Sequence, residues 1–150
     1  MRSRMWQRIL IYMPDKDSAS LAELILEQIA DAVICADPGG KIIRWNAAAA
    51  ALFGYSAAQA IGQSLDLIIP EHLQKAHWSG FEAAMNSGVM RLEGHPTVTR
   101  AKHHSGRKLY VEMTFALVKQ AGDTACGAVA VARDVTQRIE QQRAAAGTTK

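Results

Sequence analysis

Cysteine is nearly absent from this chain: Cys35 and Cys126 are the only two in 150 residues, and they lie far apart. Such a pair makes neither a metal knuckle nor a secreted disulfide framework, and it points to a reducing, cytoplasmic compartment. Runs of like charge are missing as well. The 17 Lys+Arg and 14 Asp+Glu are scattered, so the formal charge of +3 gathers into no basic face of the kind that nucleic acid requires. No apolar run is long enough to span a bilayer. The N-terminal stretch 1–13 is broken by Arg8 and stopped by Pro14-Asp15-Lys16, and it reads as a short surface or dimer-capping segment. A P-loop, a Gly-x-Ser-x-Gly elbow and a His-Glu-x-x-His helix are all lacking, which removes the usual grounds for an enzyme.

The residues that are present suit one soluble globular domain, with 49% hydrophobic and 21% charged. Residues 1–19 read as an N-terminal extension, 20–136 as the domain and 137–150 as the start of a helix with a tail. Ser20-Leu-Ala-Glu23 has capping-box spacing, and Leu21, Leu24, Ile25 and Ile29 follow at helical intervals. Ala32–Ala36 and Lys41–Trp45 are strand-like runs around Asp37-Pro38-Gly39-Gly40, which predicts a hairpin. Asn46 suits the N-cap of the alanine run behind it, and Ser56-Ala-Ala-Gln59 repeats the capping box after Gly54-Tyr55. A longer helix is expected from Pro70 to Asn86, with Ser87-Gly88 as its exit.

Three strands are expected near Arg91–Lys102, Arg107–Lys119 and Thr124–Arg133, joined by turns short enough for antiparallel neighbours. In the second of them Leu109, Val111, Met113, Phe115 and Leu117 alternate with Tyr110, Glu112, Thr114 and Ala116, so one face packs inward. The order of elements predicts an α+β fold: a five-stranded antiparallel sheet with helices on one face, an N-terminal helix and a short C-terminal helix.

Three groups of residues carry a family resemblance across roughly Leu21 to Ile139. They are Asn46 with Leu52-Phe53-Gly54-Tyr55 and Ile61-Gly62, Ser105-Gly106 leading into Tyr110-Val111-Glu112, and Gly127–Val131 closing on Arg133-Asp134-Val135-Thr136. Together they resemble the PAS sensor domains. That resemblance implies a ligand-sensing, dimerising module of a signal-transduction protein, and Asp134 and Thr136 fall on the motif that joins its last strand to an outgoing signalling helix. It further implies a homodimer, with the signalling partner or output domain left open. Either the protein is free-standing or it is part of a larger sensor.

On the expected long helix Leu73, Ala76, His77, Gly80, Phe81, Ala84 and Met85 form one stripe, opposite Gln74, Lys75, Ser79, Glu82 and Asn86. His77 therefore faces the core, either as an iron ligand or as a core histidine bonded to a backbone carbonyl. The interval of seven residues from Pro70 to His77 is similar to that of FixL-type haem-PAS oxygen sensors, which implies haem b with His77 as the metal ligand. Those sensors carry arginines where this chain has Thr97 and Ala83 or Ala84, leaving Arg100 or Arg91 as the substitutes. His72 is a second candidate ligand, whereas His95, His103 and His104 suit exposed turns. A flavin photosensor of the LOV type would need a reactive cysteine between Asn46 and Asn86, and none is there. Without haem, an unknown small apolar or aromatic ligand remains open, walled by Met113, Phe115, Val129 and Val131. The alternative is a ligand-free module for dimerisation.

Overall fold

The computed structural model describes residues 20–147, so the expected N-terminal segment 1–13 lies outside the described residues. Helix α1 (Leu21–Gln28) starts at the Ser20 capping box, in which Ser20 Oγ accepts from Glu23 N and Glu23 Oε2 accepts from Ser20 N, both at 3.2 Å. Strands β1 (Ala32–Ala36) and β2 (Ile42–Trp45) make the hairpin. Asp37 Oδ1 holds its turn by accepting from Gly39 N and Lys41 N at 2.9 Å each. Gly40 adopts a φ of 81° there, and a side chain at that position would strike the ring of Trp78.

Asn46 caps α2 (Ala47–Phe53) and does more than cap. Its Oδ1 accepts from Ala49 N and Val33 N, and its Nδ2 donates to the carbonyls of Leu26 and Asp31. One buried side chain thus joins α1, β1 and α2 with every hydrogen-bonding atom used. After α2, Gly54 ends the helix at a φ of 82°, and α3 (Ala57–Ala60) begins at the Ser56 capping box. A single 3-10 turn over Leu65–Leu67, capped by Ser64, follows; the sequence pattern did not announce it. Helix α4 (Glu71–Ser87) then runs to Gly88, with Pro70 as its N-cap.

Strands β3 (Thr97–Lys102), β4 (Lys108–Lys119) and β5 (Ala125–Asp134) complete one five-stranded sheet in the order β2-β1-β5-β4-β3, antiparallel throughout. The fold is α+β. β3 begins six residues later than expected, because Gly94 takes a φ of 74° and Pro96 has no N–H to give a ladder, so 91–96 form a turn. Helix α5 (Thr136–Gly147) leaves the end of β5.

The core lies between the helices and the inner sheet face. Phe53, Ile34, Ile42, Leu109 and Val111 are fully buried there, and burying each stabilises the fold by about 1.5–3 kcal/mol. Register decides which residues share this face. Met113 pairs with Ala132 and Phe115 with Ala130, whereas Thr114 pairs with Val131 and Ala116 with Val129. Val129 and Val131 therefore stand on the outer face, opposite Met113 and Phe115, and do not wall a cavity with them. Alternation along β5 gives the inner positions to alanines, which the apolar run Gly127–Ala132 could not reveal.

Candidate functional site

Helix α4 turns a stripe inward that differs by one row from the expected one. Leu73, Gln74, His77, Trp78 and Met85 are half-buried and Phe81 and Ala84 buried, while Ala76 and Gly80 are exposed. The reason is polar anchoring on a side assigned to solvent: Gln74 Nε2 donates to Ile69 O at 3.0 Å, and Trp78 Nε1 donates to Asp66 Oδ1 at 2.8 Å. Trp78 also lies against Gly40, so the absence of a side chain at Gly40 is what lets α4 sit on the β1–β2 turn.

His77 sits in aromatic company. Its ring lies 4.9 Å from Trp78 at 80° and 5.9 Å from Phe81 at 29°, between edge contact and stacking. His77 Nδ1 is buried without a hydrogen-bond partner, and among the described residues it is the one buried side-chain polar atom in that condition. Burial holds the imidazole below its ordinary value of 6.5, against a weaker opposing pull from Asp66. The ring is neutral at neutral pH, the form in which a histidine nitrogen can serve as a ligand. His77 is not bonded to a backbone carbonyl, so that ordinary role for a core histidine is unfilled.

The other expected site residues divide. Leu73 and Phe81 flank His77 on α4. Met113 and Phe115 belong to the main core, in which Leu73, His77 and Phe81 have no part. His72 and His95 are exposed. His103 and His104 lie in the β3–β4 turn, where His103 Nδ1 meets Ser105 Oγ at 2.8 Å and His104 stacks on Tyr55 at 4.6 Å. Trp45 packs among the helices, donating to Tyr55 O at 3.0 Å and tilting against Phe53.

At the far end of β5, Asp134 Oδ1 accepts from Thr136 N at 2.9 Å and Oδ2 accepts from Arg107 Nη2 at 3.4 Å. Burial alone would raise the Asp134 pKa, but the Thr136 bonds and the Arg107 guanidinium outweigh it and hold the carboxyl below its ordinary value of 3.8. Thr136 Oγ1 accepts from Tyr110 N at 2.9 Å, and Val135 N donates to Tyr110 O at 2.9 Å. The start of α5 is thus tied to the middle strand of the C-terminal half.

A five-stranded sheet with short helices on its inner face and a capped helix leaving its last strand is an arrangement found in many sensors. The chain matches the family model described as PAS domain over residues 30–137. It belongs to the PAS domain family. This PAS domain is 26% identical over 117 residues to the oxygen sensor protein DosP of Escherichia coli, covering 78% of this chain and 14% of that protein. It is also 26% identical over 118 residues to the sensor protein FixL of Bradyrhizobium diazoefficiens, covering 79% of this chain and 23% of FixL. The chain therefore spans less than a quarter of either relative. Among solved structures, the PAS domain of a protein from Colwellia psychrerythraea superposes with a TM-score of 0.68 at 25% identity, over 77% of this chain and 94% of that one.

Haem makes two demands on such a domain, and only one is met. A candidate nitrogen donor is present, since His77 is neutral, set among aromatic rings, and carries a buried nitrogen with no partner. The anchors for the propionates are not. Arg100 pairs across the sheet with Tyr110 on the outer face, its guanidinium 5.1 Å from that ring, and Arg91 is exposed in the turn before β3. His77 lines neither the surface cleft of about 260 Å3 between α1, β2 and α3 nor the one beside Asp134. No group of three or more His, Cys, Asp or Glu among the described residues could hold a metal by itself. No described helix is long and apolar enough to cross a membrane.

Proposed function

We propose that this PAS domain is the sensory part of a cytoplasmic signal-transduction protein, without catalytic activity of its own. It binds a small ligand against the inward face of α4, at His77, Leu73 and Phe81. The buried, unpartnered His77 Nδ1 carries this reading, because a polar atom cut off from water costs about 1–3 kcal/mol unless something pairs with it. Haem b is the first ligand to test, supported by the neutral imidazole and by similarity to an oxygen sensor protein. When bound, it would supply an iron that responds to a gas or to redox state. A planar aromatic molecule able to hydrogen-bond with the imidazole is the other ligand that suits the same rings.

Protein produced with ample haem is expected to show a Soret band that His77→Ala abolishes or shifts strongly. A colourless protein that also fails to take up added haemin would sink the haem reading. The signal is proposed to pass along the inner sheet face and β5 to Asp134 and Thr136, and so to α5, as a shift in population. Asp134→Ala should then leave ligand affinity nearly unchanged and uncouple the response of α5.

A second reading, a ligand-free dimerisation module, is favoured by a specific observation. Leu21, Leu24 and Ile25 of α1 are 55%, 42% and 51% exposed although they share one face, and Ile43, Val98 and Val118 are also exposed. A homodimer covering these residues fits both readings. Native mass spectrometry separates them: a stoichiometric small molecule on the dimer excludes the ligand-free module.

A further inference from the structure

Helix α5 buries none of its residues, and twelve residues of helix are marginal in water without packing. Its direction must therefore come from discrete contacts. The capping bond from Thr136 N to Asp134 Oδ1 fixes where the helix begins but not where it points. Beyond the cap, and beside the half-buried Ile139, two polar side chains reach back to the sheet. Arg138 meets Glu112 at 3.0 Å, as an exposed ion pair of the kind that contributes about 0–1 kcal/mol. Arg143, two turns along, donates to the Tyr110 hydroxyl at 2.6 Å and lays its guanidinium 4.9 Å from the ring centre.

Tyr110 is 6% exposed although it stands on the outer face, since Arg143 from α5 and Arg100 from β3 both lie against its ring. Its main chain meanwhile accepts from Val135 N and donates to Thr136 Oγ1. We propose that Tyr110 is a latch, one residue whose backbone holds the origin of α5 and whose side chain, through Arg143, holds its direction. Thr136, Ile139 and Arg143 share a helix face at i, i+3 and i+7, so the cap and the latch act along the same side. A displacement of β4 at Tyr110 moves both ends of this two-turn segment together. Loss of the Arg143 contact alone frees the distal half of α5 while the cap stays closed. Arg100 is the supporting member: it holds the ring from the neighbouring strand.

The inference rests on the proposed relay only for the meaning of α5 as output; the latch itself is read on the full chain with no ligand added. Amide hydrogen exchange followed by NMR tests it. Arg143→Ala is expected to speed exchange over Gln142–Ala146 about five-fold or more, the loss of a cation–π contact to a buried ring and of its hydrogen bond, with Leu109–Met113 unchanged. Tyr110→Phe keeps the ring and loses the hydroxyl, and should produce a smaller rise over the same amides. Arg138→Ala should change them by less than about two-fold. Exchange in Arg143→Ala equal to that in Arg138→Ala overturns the latch, and so does a uniform rise through the sheet, which would make Arg143 a general stabiliser. Failure of the haem experiment leaves these outcomes untouched, and failure here leaves His77 untouched.

Discussion

Asn46 and His77 are both polar side chains turned into the protein, and they are treated in opposite ways. Asn46 is 5% exposed and has partners for both of its polar atoms, four hydrogen bonds in all to three elements and the α1–β1 connection. His77 is less buried, yet its Nδ1 has no partner. A polar group retained for architecture is satisfied within the chain; one left unsatisfied is tolerated where a second molecule completes it. On the proposed function, this contrast makes Asn46 scaffold and His77 the place where a ligand would bind.

The largest effect should come from the satisfied group. Asn46→Ala strands Val33 N, Ala49 N and two carbonyls at once and should cost about 3–5 kcal/mol, read as a lower urea midpoint with an unchanged slope. A loss below about 1 kcal/mol would show that water replaces the amide easily, and the contrast would collapse. Next comes Gly40→Ala, which strains a left-handed φ and drives a methyl group into Trp78, at about 2–3 kcal/mol. Because Trp78 anchors α4, this variant should also disturb the near-ultraviolet dichroism of the aromatic cluster around His77. An undisturbed cluster would mean that α4 is held elsewhere.

Smaller effects belong to the unsatisfied group. His77 is held below its ordinary value of 6.5 in the folded state, so the unfolded chain binds its proton first as the pH falls. The stability that neutral His77 preserves is full above 6.5 and is lost progressively below it, until the folded state protonates as well. In His77→Leu the fall of stability below that pH should be visibly shallower; parallel profiles would place the titration elsewhere, with His103 the nearest alternative. At neutral pH the same substitution should not destabilise the fold and should stabilise it by about 1 kcal/mol, because it removes a buried polar atom that pairs with nothing. A large destabilisation would reveal a partner for His77 within the chain and reverse its role.

Much of the scaffold is legible in the sequence alone. The two capping boxes, the Asn46 cap, the Asp37–Gly40 turn and the Gly88 stop are local, and the hydrogen bonds that enforce them lie within a few residues of one another. The candidate site was legible only in part. His77 was found from helical spacing, but its row was displaced, since Trp78 is drawn inward by Asp66 and Gly40, twelve and thirty-eight residues away. Val129 and Val131 were placed on the wrong face because an unbroken apolar run has no alternation to show which side is buried. Arg143 offered no signal at all, and Tyr110 entered only through the strand alternation and the family pattern Tyr110-Val111-Glu112, with nothing in the sequence to tie it to α5.

By itself the sequence determined the elements, their order and the family, because caps, turns and apolar periods act over a few residues and do not wait for the fold. Only the tertiary structure decided which face each strand residue occupies, which nitrogen is left without a partner and which ring α5 is tied to. Those outcomes depend on cross-strand register and on contacts between residues far apart in the chain, whose energies exist only once the sheet has closed.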